Sequence, residues 1–521
     1  MSLAILASRA LYGYQALPVR VEVHVGSGLP TFVIVGLPDA GVRESRERVR
    51  SALQCCGFEF PAGRITVNLA PADLPKDSGR YDLAIALGIL IATGQAKVSS
   101  GKKNARGISV TQAAEKYVPV QEIANVVFVG ELSLTGELGA IKGALAIAMA
   151  VARETPSATL VMPPLNASIA IQVPGIDVRT AGNLREVVDG LSGELRVPVQ
   201  ETRRSVPHEA TIPCLADVRG QAMARRALEI AASGGHSLLM YGPPGVGKSM
   251  LAQRLPGLLP RLTHEQSLEV AALQGLAGRD MVPCPQPPFR APHHTASSAA
   301  LIGGGAVPRP GEISLAHHGV LFLDELLEFH RAVLESLREP LESGFVSIAR
   351  ARLSCTFPAR FQMVAAMNPC PCGWLGHPRR PCTCSPSSVQ AYRRRLSGPL
   401  LDRIDLHIGL PPVDGAWLDA QPGEPSHVVR TRVMTSRARQ LERQGCTNAF
   451  LDSTTLLHHA RIDEKCAKLL REASERWSWS ARVGHRILRT ARTLADMSGE
   501  RDIALSHLQE ALLYRPTLEG G

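Results

Sequence analysis

Aromatic residues are scarce: Phe, Trp and Tyr make up 4% of the 521 residues. A protein that holds nucleic acid mainly by stacking bases on rings needs more of them, so stacking is excluded as a leading mode of binding. Long apolar runs are missing as well, and none approaches the ~20 residues that a membrane-spanning helix requires. The opening stretch MSLAILASRALYG has no charged leader before its short apolar run, which makes it a poor secretory signal. A cytoplasmic setting with no membrane partner is therefore expected, and the 11 cysteines are not read as disulfides. Acidic residues are outnumbered, 47 against 57 Lys and Arg, for a formal net charge of +10. That surplus suits a polyanion such as nucleic acid, and equally a merely basic cytosolic protein. Hydrophobic residues at 45% allow sizeable cores, and the length allows roughly two to four domains.

Among what is present, Gly242-Pro243-Pro244-Gly245-Val246-Gly247-Lys248-Ser249 is the most informative stretch. It fits the phosphate-loop pattern G-x-x-x-x-G-K-[ST] without a mismatch. The apolar run at 236–241 predicts a buried strand before it, and 250–255 predicts a helix after it. Glycines let the backbone curl around an anion and turn successive N–H groups inward, and the helix start adds a favourable dipole. Lys248 is placed to reach the β- and γ-phosphates, and the Ser249 hydroxyl to ligate Mg²⁺.

Residues 1–197 alternate β-like runs such as VRVEVHVG and RITVNLAP with helical ones, which predicts an independent α/β domain. A polar stretch at 99–115 interrupts it, and a hydrophilic linker at 200–209 follows. An α/β nucleotide-binding core is expected over 198–412 and a helical, charge-rich domain over 413–521. Within the last, 481–497 places apolar residues at helical spacing.

Two further apolar strands end in polar residues. The run at 319–323 leads into Asp324 and Glu325, and 361–367 leads into Asn368. The carboxyl ends of strands are where α/β sheets carry their chemistry. Asp324 is expected to hold Mg²⁺, and Glu325 to orient and deprotonate the attacking water. Asn368 is a candidate partner for the γ-phosphate or the water, although Asn-Pro is also an ordinary turn dipeptide. The order of phosphate loop, Asp-Glu strand and Asn strand resembles an AAA+ ATPase. On that resemblance Arg403, in Leu400-Leu-Asp-Arg-Ile-Asp-Leu406, matches an arginine finger that completes a neighbouring subunit's site. Arg482, in Ser480-Ala-Arg482, matches the lid arginine that touches the γ-phosphate. A guanidinium suits both tasks because it stabilises spread phosphoryl charge.

The likeness is closer than AAA+ in general. Asp217-Val-Arg-Gly-Gln221, Arg290-Ala-Pro-His-His-Thr-Ala-Ser297, Arg309-Pro-Gly-Glu-Ile-Ser-Leu-Ala-His317 and Asn368-Pro-Cys-Pro-Cys-Gly373 together resemble the ComM/YifB family of magnesium-chelatase-like AAA+ proteins. The resemblance implies a Lon-protease-like (S5 domain 2-like) N-terminal domain, an AAA+ P-loop α/β core and a C-terminal helical lid. It also implies a bacterial, cytoplasmic, ATP-driven homo-hexameric DNA motor that promotes branch migration in recombination or natural transformation. Asn68-Leu-Ala-Pro-Ala-Asp-Leu-Pro-Lys76-Asp77 and Gly130-Glu-Leu-Ser-Leu-Thr-Gly136 carry the Lon-like part. The Ser–Lys dyad pattern of Lon proteases is not reproduced around Ser78 and Lys142, so proteolysis is not expected.

Residues 344–358 alternate apolar and polar around Arg350 and Arg352, and resemble the pore hairpin of related motors. Two arginines at a hairpin tip suit phosphate contacts, which gives sequence-tolerant, salt-sensitive binding to single-stranded, duplex or branched DNA. A solvated edge hairpin has the same pattern. His293 and His294 are read as phosphate or intersubunit contacts, and Arg393-Arg-Arg395 as a solvated face first and a nucleic-acid contact second. Cys370, Cys372, Cys382 and Cys384 form two Cys-x-Cys pairs that suit tetrahedral Zn²⁺, a free-thiol loop or a redox-sensitive pair. Two other functions share the core: a magnesium-chelatase motor for metal insertion into a porphyrin, and a peptide-directed machine.

Overall fold

The structure is a computed structural model that describes residues 2–96, 125–192, 209–305, 308–350, 353–412 and 421–515. The polar stretch at 99–115 and most of the linker at 200–209 lie outside them. The described chain forms two compact units, each with its own core.

Unit 1 consists of the described part of 1–207 together with Ser267–Pro283. Its strands are β1 (Ser2–Tyr12), β2 (Gln15–Gly26), β3 (Thr31–Val35), β4 (Arg64–Ala70), β5 (Val126–Phe128), β6 (Thr159–Met162) and β7 (Asp177–Thr180). They form one mixed sheet in the order β3-β4-β2-β1-β5-β6-β7. β2 and β4 run antiparallel in register, Val21 opposite Leu69 and Val23 opposite Val67. Their alternating Val19, Val21, Val23 and Ile65, Val67, Leu69 are all buried on one face, the period-two pattern of a sheet covered on that side. The helix Asp82–Ala92 lies in that core with every residue buried, as its near-continuous apolar sequence dictates. A second core packs Leu268, Ala271 and Ala272 of the Ser267–Pro283 segment with Leu145, Ile147 and Ala148.

Unit 2 is built on a parallel sheet of β8 (Leu238–Tyr241), β9 (Phe289–Arg290), β10 (Val320–Leu323), β13 (Gln362–Met367) and β14 (Leu406–Gly409), with β11 (Phe345–Arg350) and β12 (Leu353–Pro358) forming a separate hairpin. The sheet order is β9-β10-β13-β8-β14. β10 and β13 are buried along their whole length, which is why each reads as an unbroken apolar run rather than an alternation. The parallel registers set Leu323 beside Ala365 and Met367 beside Tyr241. The segments that leave β8, β10 and β13 therefore emerge from the same edge of the sheet.

The C-terminal part is helical: Ser426–Gln444, Ser453–Ala460, Glu464–Arg476, Ala481–Ser498 and Leu505–Leu513. Val433, Leu456, Ile487, Leu488, Ala491 and Leu494 from these helices share one core with Leu238, Met240, Leu406 and Ile408 of the sheet. A buried polar network joins the same parts. Asp405 accepts from the Ser237 N–H at 3.0 Å and pairs with Arg486 at 2.8 Å, while His236 and Thr493 are 2.7 Å apart. Burial alone would raise the Asp405 carboxyl, but Arg486 and His236 overrule it and hold the group well below the usual carboxylate range.

Candidate nucleotide site

The phosphate loop leaves β8 at Gly242 and enters the short helix Lys248–Ala252. Gly245 and Gly247 have φ of +79° and +90°, a region that only glycine enters without strain. Lys248 is nearly buried. Its ammonium donates to the carbonyls of Gly242 (2.6 Å) and Pro243 (3.0 Å) and to Oδ1 of Asn368 (3.0 Å). Burial lowers its pKa, partly offset by Asp324 and Glu325. The loop's own oxygens and Asn368 thus satisfy the three donors of this ammonium.

Beside it, the Ser249 hydroxyl donates to Oδ2 of Asp324 at 2.6 Å, and the other carboxylate oxygen accepts from the Glu325 N–H at 2.9 Å. A hydroxyl and a carboxylate held together form the hard-oxygen donor set that Mg²⁺ takes. Glu325 follows in a left-handed conformation, φ +50°, and its carboxylate meets His294 Nδ1 at 3.1 Å. That histidine stands four residues beyond Arg290, which is clamped to Glu312 through two bonds of 2.6 and 2.7 Å.

Arg403 and Arg482 converge on a single acidic side chain. Glu342 Oε2 lies 3.0 Å from Arg403 and its Oε1 3.3 Å from Arg482. The Arg403 side chain is 7% exposed and also donates to the Pro399 carbonyl, whereas that of Arg482 is 49% exposed. Glu342 sits in the turn of helix Pro340–Ser343, three residues before β11. Nothing in the local sequence around Glu342 marks it. At the hairpin tip the Arg350 backbone pairs with Leu353; Arg352 lies outside the described residues. Arg395 donates to the Leu327 carbonyl and pairs with Glu328.

The four cysteine sulfurs come together. Cys370, Cys372 and Cys382 are separated by 3.4 to 3.6 Å, and all four Sγ atoms lie within 4.8 Å of one another. His377 is not among them; its Nδ1 accepts from the backbone N–H groups of Arg379 and Arg380. In unit 1, Ser78 Oγ accepts from Arg80 Nε at 2.9 Å and Lys142 is exposed, with no hydrogen bond between the pair among the described residues.

Three family models match the chain. Residues 214–417 match magnesium chelatase, subunit ChlI, residues 21–166 match subunit ChlI of Mg-chelatase, and residues 423–515 match the ChlI C-terminal model. The chain is 45% identical to "Competence protein ComM" of Haemophilus influenzae over 525 residues, 99% of this chain and 98% of that one. It is 43% identical to "Uncharacterized protein YifB" of Escherichia coli over 524 residues, again 99% of this chain and 97% of that one. The chain belongs to the ComM/YifB family. Its fold is the mixed α/β and C-terminal helical architecture of an AAA+ protein, and its activity class is an AAA+-type ATPase, for which ATP and Mg²⁺ are implied. A "Magnesium-chelatase 67 kDa subunit" of Chlorobaculum tepidum is 28% identical over 159 residues, 29% of this chain and 23% of that one. Among the described residues, no helix is long and apolar enough to cross a membrane.

Proposed function

We propose that this chain is an ATP-driven DNA motor, a cytoplasmic homo-hexamer that promotes branch migration in recombination or natural transformation. The observation that carries this reading is the end-to-end likeness to a protein named for competence, combined with two neighbouring pairs at one sheet edge, Lys248 on Asn368 and Ser249 on Asp324. We divide the chain into a Lon-like scaffold (1–197), the ATPase core (198–412) and the helical lid (413–521).

In this reading the N–H groups of 242–249 hold the phosphates, and Lys248 exchanges the Gly242 and Pro243 carbonyls for phosphate oxygens. Ser249 and Asp324 would hold Mg²⁺, which would supply charge neutralisation for phosphoryl transfer. Asn368, already on Lys248, turns its amide to the γ-phosphate or the water. Glu325 leaves His294 and takes the proton of the attacking water. Arg403 and Arg482 leave Glu342 for phosphoryl charge at the seam between adjacent copies. One carboxylate holds both, which supports a shared nucleotide for the two. Arg350 and Arg352 grip DNA phosphates.

ATP turnover is measured with and without single-stranded and branched DNA, together with migration of a model junction. Stimulation and junction movement are expected. Turnover indifferent to DNA, on a protein that stays monomeric with every nucleotide, overturns the reading. The chelatase names of the family models support a metal-insertion motor as the second reading, and porphyrin-dependent stimulation would favour it. Against it, the chelatase relative matches less than a third of this chain.

A further inference from the structure

The cysteine cluster begins at Cys370, two residues after Asn368, on the side of the phosphate loop. A zinc–thiolate bond of about 2.3 Å sets the edges of a ZnS₄ tetrahedron at about 3.8 Å. The three sulfur pairs at 3.4, 3.5 and 3.6 Å are close to that edge and far too long for disulfides. Two sulfurs also accept backbone N–H groups, Cys384 from Cys372 and Cys370 from Leu375, each at 3.4 Å. Such bonds stabilise thiolate charge and orient metal ligands. Cys370 is fully buried, and the intervening loop carries its own packing, with Arg380 4.5 Å over the Trp374 ring and His377 edge-on to it.

The loop is pressed against the nucleotide site. Gly373 has φ +81°, and a Cβ built there would lie 2.8 Å from Cδ of Pro244 in the phosphate loop and 3.9 Å from Cγ of Asn368. Only a glycine lets the Cys370–Gly373 turn come this close to Pro244. We propose that Cys370, Cys372, Cys382 and Cys384 bind one Zn²⁺ as thiolates, and that this ion braces Asn368 and Pro244 from behind. The metal closes the Cys370–Gly373 turn, which begins two residues after Asn368, so its loss frees both the proposed γ-phosphate partner and one wall of the phosphate loop. The brace rests on the ATP-site reading above; the zinc site does not.

Full-length protein purified without added metal is analysed by plasma mass spectrometry, with release followed by a colorimetric chelator as thiols are modified. About one zinc per chain is expected, as is the visible spectrum of a tetrahedral cobalt–thiolate centre after exchange. Cys384→Ser should lose the zinc and raise the KM for ATP about tenfold, the scale of a loosened positioning contact. Gly373→Ala should keep the zinc yet also raise KM, because its methyl group meets Pro244. It serves as the second variant should Cys384→Ser fail to fold, a failure read by circular dichroism and gel filtration. Wild-type protein with well under one zinc per chain overturns the site, and iron in its place overturns the choice of ion. One zinc per chain with wild-type KM in Gly373→Ala overturns the brace. Metal content is read without ATP or DNA, so failure of the ATPase reading shows separately, as unaltered nucleotide binding in Lys248→Ala.

Discussion

Lys248 illustrates what a single buried cation does in this chain. Its ammonium is largely out of water and held by two loop carbonyls and Asn368, so removing it strips the loop of its internal tie and, in the proposed reading, of its phosphate partner. Lys248→Ala is expected to weaken binding of a fluorescent ATP analogue, measured by titration. Glu325→Gln keeps the size and loses the base, so binding should persist while phosphate release drops by about 10² to 10⁴, the range a general base supplies. Hydrolysis retained in both variants would show that chemistry occurs elsewhere. His407 makes a prediction about stability. Burial, reinforced by Arg515, lowers its pKa to about 3. The unfolded chain therefore binds a proton near pH 6.5 that the folded chain refuses. This stabilisation is complete above about pH 6.5 and is lost as pH falls towards 3, so urea stability should drop by about 2 kcal/mol from pH 6.5 to 5 through this residue. His407→Gln should flatten that part of the slope; an unchanged slope would mean the ring is protonated in the folded state.

At the scale of elements, the strands and the helical lid were legible because burial imposes patterns on them. The apolar runs at 319–323 and 361–367 became β10 and β13, and the helix expected at 481–497 runs Ala481–Ser498. The hairpin expected over 344–358 is β11 and β12. The glycine pattern likewise located the turn between β8 and the helix Lys248–Ala252, where Gly245 and Gly247 take positive φ. Partners brought together only by folding left no such trace. Glu342 meets Arg403 and Arg482 from 61 and 140 positions away, and His294 reaches Glu325 across 31. Nor does any periodicity place Ser267–Pro283 in the core of unit 1. Glu342 has a consequence of its own. It lies in the short helix Pro340–Ser343 that leads into the hairpin, a route by which hairpin movement would reach both arginines. Glu342→Gln keeps the shape and removes the charge. It should lower kcat, leave the KM for ATP within about threefold, and blunt any stimulation by DNA, since the arginines act on charge that develops in the transition state. A variant with wild-type kcat and full stimulation would reduce Glu342 to a surface ion pair.

At the scale of the whole molecule, the proposed ring turns on whether one copy completes its neighbour's site. Arg403 is almost wholly covered by its own chain, with one partner in Glu342 and another in the Pro399 carbonyl, so a role at a neighbour's nucleotide requires it to exchange a carboxylate for phosphoryl oxygens. That exchange balances in charge, since both acceptors are anionic. Mixing subunits separates action within a chain from action between chains. Lys248→Ala and Arg403→Ala are each expected to hydrolyse little ATP alone. In rings assembled from equal amounts, the loop of an Arg403→Ala copy can face the intact arginine of a Lys248→Ala copy, and about a quarter of the seams are then whole by random assembly of a cyclic oligomer. Turnover of the mixture should rise well above the average of the two parents. If each chain supplied its own arginine, no seam would be repaired and the mixture would stay at that average, which is the outcome that would remove the ring from this mechanism.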